Sequence, residues 1–297
     1  MQPRHIVLAV VLAIFWGLNF VVITLALGDV PPLLLAALRF AIAAVPVLFL
    51  PKPPVRWGLM IAIAATMFVG QFAFLFPSMA VGMPPGLASI AAQVQVFMTI
   101  SIAAVVLGER PTRRQLAGGA VAFAGLAVVA TTVGTNGVTL AGFILLMLSA
   151  LCWAIGNVLL KRTRSVDMSA MIAWLSLVPP IPMLLLSLAI EGPARIEASI
   201  AGASWLAVGS VLYIAFVATT FGYAAWGHLL KLYPAATAAP FSLLVPVSGT
   251  LSAALILGET FGPVRLVGMV LILAGLAILV RPFGGKVEPP DELAPGT

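Results

Sequence analysis

This chain is short of charge. Only 8% of its 297 residues are Asp, Glu, Lys or Arg, against 62% apolar residues. A water-soluble domain is about a quarter charged, so a soluble enzyme of this length is excluded. Cysteine is nearly absent as well: the single Cys152 rules out an intramolecular disulfide and a cysteine-based metal cluster. The two histidines, His5 and His228, supply no convergent metal-ligand set. No Gly-x-x-x-x-Gly-Lys-Ser/Thr motif occurs, which excludes ATP hydrolysis by a P-loop in this chain. No metal and no cofactor are therefore expected, and the chain does not read as an enzyme.

The few charges are placed like loop markers. Nothing of that kind falls between Arg4 and Asp29, Arg56 and Glu109, Arg114 and Lys161, or Glu197 and Lys231. The 52 residues between Arg56 and Glu109 suffice for two membrane crossings, since one helix needs about 20. These runs lack the period-two alternation of a barrel strand. The fold class expected is an all-α polytopic membrane protein. The run from Ile6 to Leu27 is too long for a signal peptide and reads as the first membrane helix.

Breaks rich in Pro and Gly delimit ten apolar segments: 6–27, 34–50, 57–79, 86–107, 114–132, 138–160, 168–190, 204–230, 236–257 and 264–281. With the N-terminus inside, the inner parts hold Arg4, Lys52, Arg56, Arg110, Arg113, Arg114, Lys161, Arg162, Arg164, Lys231, Arg281 and Lys286. The outer loops hold only Arg195 and Arg265, and Arg39 falls within the second segment. That asymmetry puts both termini in the cytoplasm. The basic excess thus serves topology. No patch of Arg with aromatics is present, and no nucleic-acid partner is expected.

Two halves repeat. Leu107-Gly108-Glu109, Gly118 and Gly125-Leu126-Ala127 recur as Leu257-Gly258-Glu259, Gly268 and Gly275-Leu276-Ala277, each at an offset of 150 residues. Pro84 and Pro234 share that offset, and Trp16-Gly17-Leu18-Asn19 is echoed by Trp153-Ala154-Ile155-Gly156-Asn157. Residues 1–132 and 138–281 are read as two five-helix repeats, with 282–297 as a cytoplasmic tail. An odd helix count inverts the second copy, an arrangement suited to alternating access.

Polar residues inside the apolar segments are the candidates for function. Asn19 and Asn157 form the repeat-related pair, with packing at a small-residue seam as the alternative. Ser89 and Gln93 share a helix face, while Gln95 points away from it. Gln71 and Tyr223 add donors and acceptors, and Trp16 and Trp153 offer rings for stacking. Pro240 and Pro246 read as breaks in the ninth segment, and Pro179, Pro180 and Pro182 as breaks in the seventh. Arg39, about 8 Å from its helix end at 1.5 Å per residue, reads first as a residue snorkelling to the outer headgroups, with an anionic substrate group as the alternative. Glu109 and Glu259 close two helices on opposite membrane faces, as loop residues or as gate ion pairs. His228 is a weak candidate for proton coupling, because no mid-membrane carboxylate accompanies it.

The Phe15-Trp16-Gly17-Leu18-Asn19-Phe20, Leu38-Arg39-Phe40 and Leu107-Gly108-Glu109-Arg110 stretches, with Gly118 and the repeated Gly258-Glu259 and Gly268, resemble the EamA family of the drug/metabolite transporter superfamily. Within it, Gln71–Phe76, Gly86–Ser89, Ala215–Thr219 and Ser242–Val247 are similar to members exporting cysteine and O-acetylserine. The resemblance implies a ten-helix bacterial inner-membrane secondary exporter of small amino acids. Its cavity would lie among helices 1, 3, 4, 6, 8 and 9, with helices 5 and 10 at the periphery. The expected partners are a small-molecule substrate and the lipid bilayer, the protein being a monomer or weak homodimer. Proton coupling and passive facilitation both stay open. So do other cargoes (threonine or homoserine, aromatic amino acids, purines, drug-like compounds), a nucleotide-sugar or lipid carrier, and a channel.

Overall fold

The computed structural model describes residues 1–134, 137–163, 166–233 and 241–280. Every regular element among them is helical. In chain order they are α1 Pro3–Ala26, α2 Pro32–Ala43, α3 Trp57–Ala80, α4 Pro85–Leu107, α5 Arg113–Ala130, α6 Leu140–Leu160, α7 Met168–Ile190, α8 Trp205–Leu229, α9 Leu244–Leu257 and α10 Pro263–Val280. A short helix over Pro193–Ala201 joins α7 to α8. Six of these helices, α1, α3, α4, α6, α7 and α8, are long and apolar enough to cross a membrane.

The helix ends follow from local chemistry. Proline opens α1, α2 and α4 within their first turn, where its missing N–H is no loss. Gly108 and Gly258 close α4 and α9 in matching left-handed conformations, φ 69° and 68°. There the N–H groups of Glu109 and Glu259 reach back to Ala103 and Ala253. Thr112 starts α5 with a reciprocal cap: its hydroxyl accepts from the Gln115 N–H at 3.2 Å, and its own N–H donates to Gln115 Oε1 at 2.7 Å. Thr112→Ala should lower stability by about 1 kcal/mol, read as a small drop in the thermal unfolding midpoint in detergent with the cavity unaffected.

Four helices depart from regular winding. Both α3 and α8 widen into π-helical turns, at Ala65–Gly70 and Tyr213–Phe221. The first of these, shifted by the repeat offset of 150, falls inside the second. The helix α4 instead tightens into a 3-10 turn over Ala92–Val94. The proline cluster breaks α7: helix ends at Leu175 and restarts at Pro180.

One boundary expectation changes. The segment 34–50 is helical only through Ala43, followed by a single turn at Val45–Leu48. The ninth segment is interrupted as expected near Pro246: Phe241 and Ser242 are helical, Leu243 is a turn and α9 starts at Leu244, since Pro246 has no N–H to give the Ser242 carbonyl. Pro240, the other expected break, lies outside the described residues, as do Pro234 and the tail.

Small residues set the closest helix approaches, as expected where water supplies no drive for association. A Cβ on Gly118 would stand 2.6 Å from the Gly275 carbonyl oxygen, and one on Gly275 2.5 Å from that of Gly118. Gly125 and Gly268 make the same reciprocal pair, at 2.6 and 2.8 Å. This seam joins α5 to α10, and neither helix lines the central cavity. The helix α2 sits inside the bundle, packed on α3, α7 and α8.

Candidate functional site

A cavity of about 260 Å³ lies among α1, α2, α3, α4, α6, α8 and the start of α9. That is close to the lower end of the usual range for ligand sites, about 300–1,000 Å³. Its polar lining comprises Asn19, Arg39, Gln71, Gln93, Gln95, Ser149, Tyr223 and Ser242, set among Trp16, Phe20, Phe72 and Trp153. The structure brings this wall together from seven separate stretches of chain.

Local winding explains several of these placements. Gln93 and Gln95, both cavity candidates, line the cavity, although Gln95 was expected on a different helix face from Gln93. Residues two apart in an α-helix lie about 160° apart around the axis. In a 3-10 helix of three residues per turn that angle falls to about 120°, so the tightened turn at Ala92–Val94 brings both amides round. The π turn of α3 ends immediately before Gln71, and that of α8 contains Ala218 and ends two residues before Tyr223. Trp16 donates its indole N–H to the Ala218 carbonyl at 2.9 Å, an acceptor within that π turn. Its ring packs against Tyr223 and Trp226, with centroids 5.8 and 5.9 Å away.

Arg39 is the main correction. It is 3% exposed and does not snorkel to the headgroups. The depth argument was sound for a lipid-facing helix, but α2 is enclosed by α3, α7 and α8, and its arginine is turned to the cavity. Its Nε donates to Thr219 Oγ1 at 2.9 Å. Thr219 in turn donates to the Ile214 carbonyl, five residues back across the π turn. The guanidinium lies over the Phe72 ring, 4.1 Å from its centroid, while Nη1 is buried with no hydrogen-bond partner. The carboxamide oxygens of Asn19 and Gln71 are likewise buried and unpartnered.

The remaining candidates lie elsewhere. Ser89 is buried at the meeting of α4 and α9, donating to the Gly86 carbonyl at 2.7 Å. Asn157, the repeat partner of Asn19, does not line the cavity. Between them the two halves place one amide in the cavity and leave the other out of it. His228 is exposed and meets His5 edge-on at 5.9 Å, and His5 contacts the Tyr233 hydroxyl at 2.7 Å; none of the three lines the cavity.

The two repeat-related glutamates differ. Glu109 pairs with Lys161 at 2.9 Å, both side chains about half exposed. Glu259 crosses to α4, where its Oε2 accepts the Gly86 N–H at 2.8 Å, and its Oε1 is buried without a partner. A carboxylate there meets the positive end of α4, which offsets its awkward place after the C-terminus of α9. Sequence reasoning missed Glu191, which follows α7. It accepts the N–H groups of Leu33 and Leu34 at 2.7 and 3.2 Å, capping an α2 terminus whose Pro31-Pro32 start offers no side-chain cap. A glutamate beside Gly192-Pro193 carried no signal of its partner, which lies more than 150 residues away in sequence.

A polar-lined cavity within an apolar helical bundle is the geometry of a carrier. The EamA-like transporter family matches residues 4–131 and 140–281. The chain belongs to this family. A probable amino-acid metabolite efflux pump of Salmonella typhimurium is 44% identical over 95% of this chain and 95% of its own. One of Escherichia coli is 42% identical over 94% and 96%. A probable terminal-alkyne amino-acid exporter of Streptantibioticus cattleyicolor is 29% identical over 86% of this chain and 83% of its own. A solved crystal structure with 19% identity shares the fold, with a TM-score of 0.59 over 94% of this chain and 97% of that one. This EamA-like protein is a multi-pass membrane transporter.

Proposed function

We propose that the protein is a secondary exporter of small amino acids and their derivatives, cysteine and O-acetylserine among them, working by alternating access. The observation that carries this reading is the small cavity walled by amides, one arginine and aromatic rings. Such a wall holds a compact polar solute by hydrogen bonds that form and break readily. The relatives described as amino-acid metabolite efflux pumps support the same cargo class. The proposed scaffold is ten membrane helices in two inverted repeats, residues 1–132 and 138–281, with both ends inside. Three features support it: the reciprocal glycine pairs between α5 and α10, the matched caps at Gly108 and Gly258, and the π turns at repeat-related positions. A two-fold axis in the membrane plane accounts for all three.

Purified protein in proteoliposomes, offered O-acetylserine, cysteine, threonine and phenylalanine separately, tests the cargo. Uptake of the small polar acids with little phenylalanine is the expected result; preference for phenylalanine, or for none of them, would sink it. Asn19→Ala should lower cysteine transport about tenfold, the loss of one hydrogen bond of about 1 kcal/mol or more, with folding intact. Equal rates in that variant would remove Asn19 from the site. Collapsing an imposed pH gradient in the same vesicles decides coupling: a fall in rate means proton antiport, and no response means facilitation.

A further inference from the structure

Arg39 poses a physical problem that packing does not solve. An arginine within the membrane region is costly to bury unless paired. Among the described residues no acidic side chain lines its cavity. Five of the acids are engaged elsewhere: Asp29 with Ser204, Glu109 with Lys161, Asp167 at the start of α7, Glu191 at the start of α2, and Glu259 at the start of α4. The guanidinium is braced on two sides, by Thr219 at Nε and by the Phe72 ring over its face. Its Nη1 is left without a hydrogen bond. A planar fork held on one edge and one face, with donors to spare, is arranged to take a carboxylate.

The opposite polarity is present in the same wall. Asn19 Oδ1 and Gln71 Oε1 are buried acceptors with no donor, and both residues line the cavity with Arg39. An ammonium group offers three donors and no acceptor, which is what two orphan carbonyl oxygens lack. We infer that Arg39 binds the carboxylate of the transported solute while Asn19 and Gln71 hold its ammonium group, so that the site selects α-amino acids with both groups unblocked. Thr219 is then a positioning residue, fixing the guanidinium through Nε. The inference rests on the exporter reading above but specifies how its cargo is recognised. It also accounts for keeping a buried charge in a bundle that would be more stable without one.

The test separates the two charges of the solute. Cysteine, N-acetylcysteine (carboxylate only) and cysteine methyl ester (ammonium only) are compared as substrates in proteoliposomes, with threonine, phenylalanine and their methyl esters in parallel. The wild type should carry each free acid about 10- to 100-fold better than its ester, the range expected of a charged hydrogen bond. Arg39→Gln should reduce cysteine and N-acetylcysteine by that factor and leave the methyl ester within about threefold. Arg39→Lys should recover part of the preference, as a point charge without the fork. Gln71→Leu should narrow the gap between cysteine and N-acetylcysteine.

Stability supplies a second readout. Removing an uncompensated buried charge should leave the unfolding temperature of Arg39→Gln unchanged or raised, whereas a purely structural arginine would lower it. Equal transport of acids and esters by the wild type, or an equal loss of all substrates in Arg39→Gln, overturns the assignment. Should phenylalanine alone be carried, with its acid favoured over its ester, the small-amino-acid reading fails and the Arg39 assignment stands. Transport of none of these compounds overturns both.

Discussion

Gly17→Leu should leave little folded protein. A Cβ at this position would collide with Ser248 Oγ, and would lie 2.5 Å from the Gly249 nitrogen and 2.6 Å from the Val245 carbonyl oxygen. Two of those three atoms are backbone, so the strain cannot be relieved by a rotamer change. It can be relieved only by moving α9 away from α1. That shift breaks the Ser248 hydroxyl bond to the Ala13 carbonyl and opens the contact of Gly249 with Ser89 on α4. Three helices thus lose their common seam, and Val245 in the first turn of α9, with Ser242 just before that helix, loses its place on the cavity wall. Overpacking of a core typically costs about 1–3 kcal/mol, and backbone contacts this close belong at or beyond the upper end. Size-exclusion yield and thermal unfolding in detergent measure it. Gly209→Leu is the control: that glycine has nothing within 4 Å of its added Cβ, so a change of no more than about 0.5 kcal/mol is expected. Equal damage from both variants would show that the seam is not the cause.

The second large effect concerns Glu259 and has a sign in pH. Burial pushes its carboxyl up from the ordinary 4.5, while the Gly86 and Leu87 N–H groups and the charge of Arg265 pull the other way without prevailing. A folded-state value above the unfolded one means that the folded protein keeps a proton which the unfolded chain has released. The contribution to stability is therefore fully present below the unfolded value and is lost as pH rises through the folded one. Wild-type unfolding temperature should decline as pH climbs above about 4.5, and Glu259→Gln should remove that slope. The amide carbonyl can still accept the Gly86 N–H, so the cap survives in Gln. Glu259→Ala loses it and should destabilise the α4–α9 junction by about 1–3 kcal/mol, the cost of leaving a buried donor unpaired. Identical pH profiles for wild type and Glu259→Gln would refute this account.

Comparison of Glu109 with Glu259 shows where reading by motif stops. The two residues occupy matched positions after matched glycine caps, and the sequence treats them alike. One ends at a half-exposed lysine, the other at the part-buried N-terminus of α4. Which partner each meets depends on helices distant in sequence, and local pattern carries no record of that. Asn19 and Asn157 part company in the same way. Gln95, a cavity candidate from the sequence, does line the cavity, and what a uniform helix could not give is its sharing a face with Gln93, which the single 3-10 turn provides.

Scarcity of charge was decisive at the level of class. A chain with 8% charged residues must bury its backbone polar groups in helices and meet lipid with the rest, since no side-chain coat can solvate it. The helical class, the repeat offset of 150 residues and the family were legible for the same reason: they are local or periodic features. Burial was not legible. The sequence placed Arg39 within reach of the headgroups and could go no further, because snorkelling is a matter of what surrounds a helix. The tertiary structure encloses α2 between α3, α7 and α8, and so turns its arginine from the lipid to the cavity.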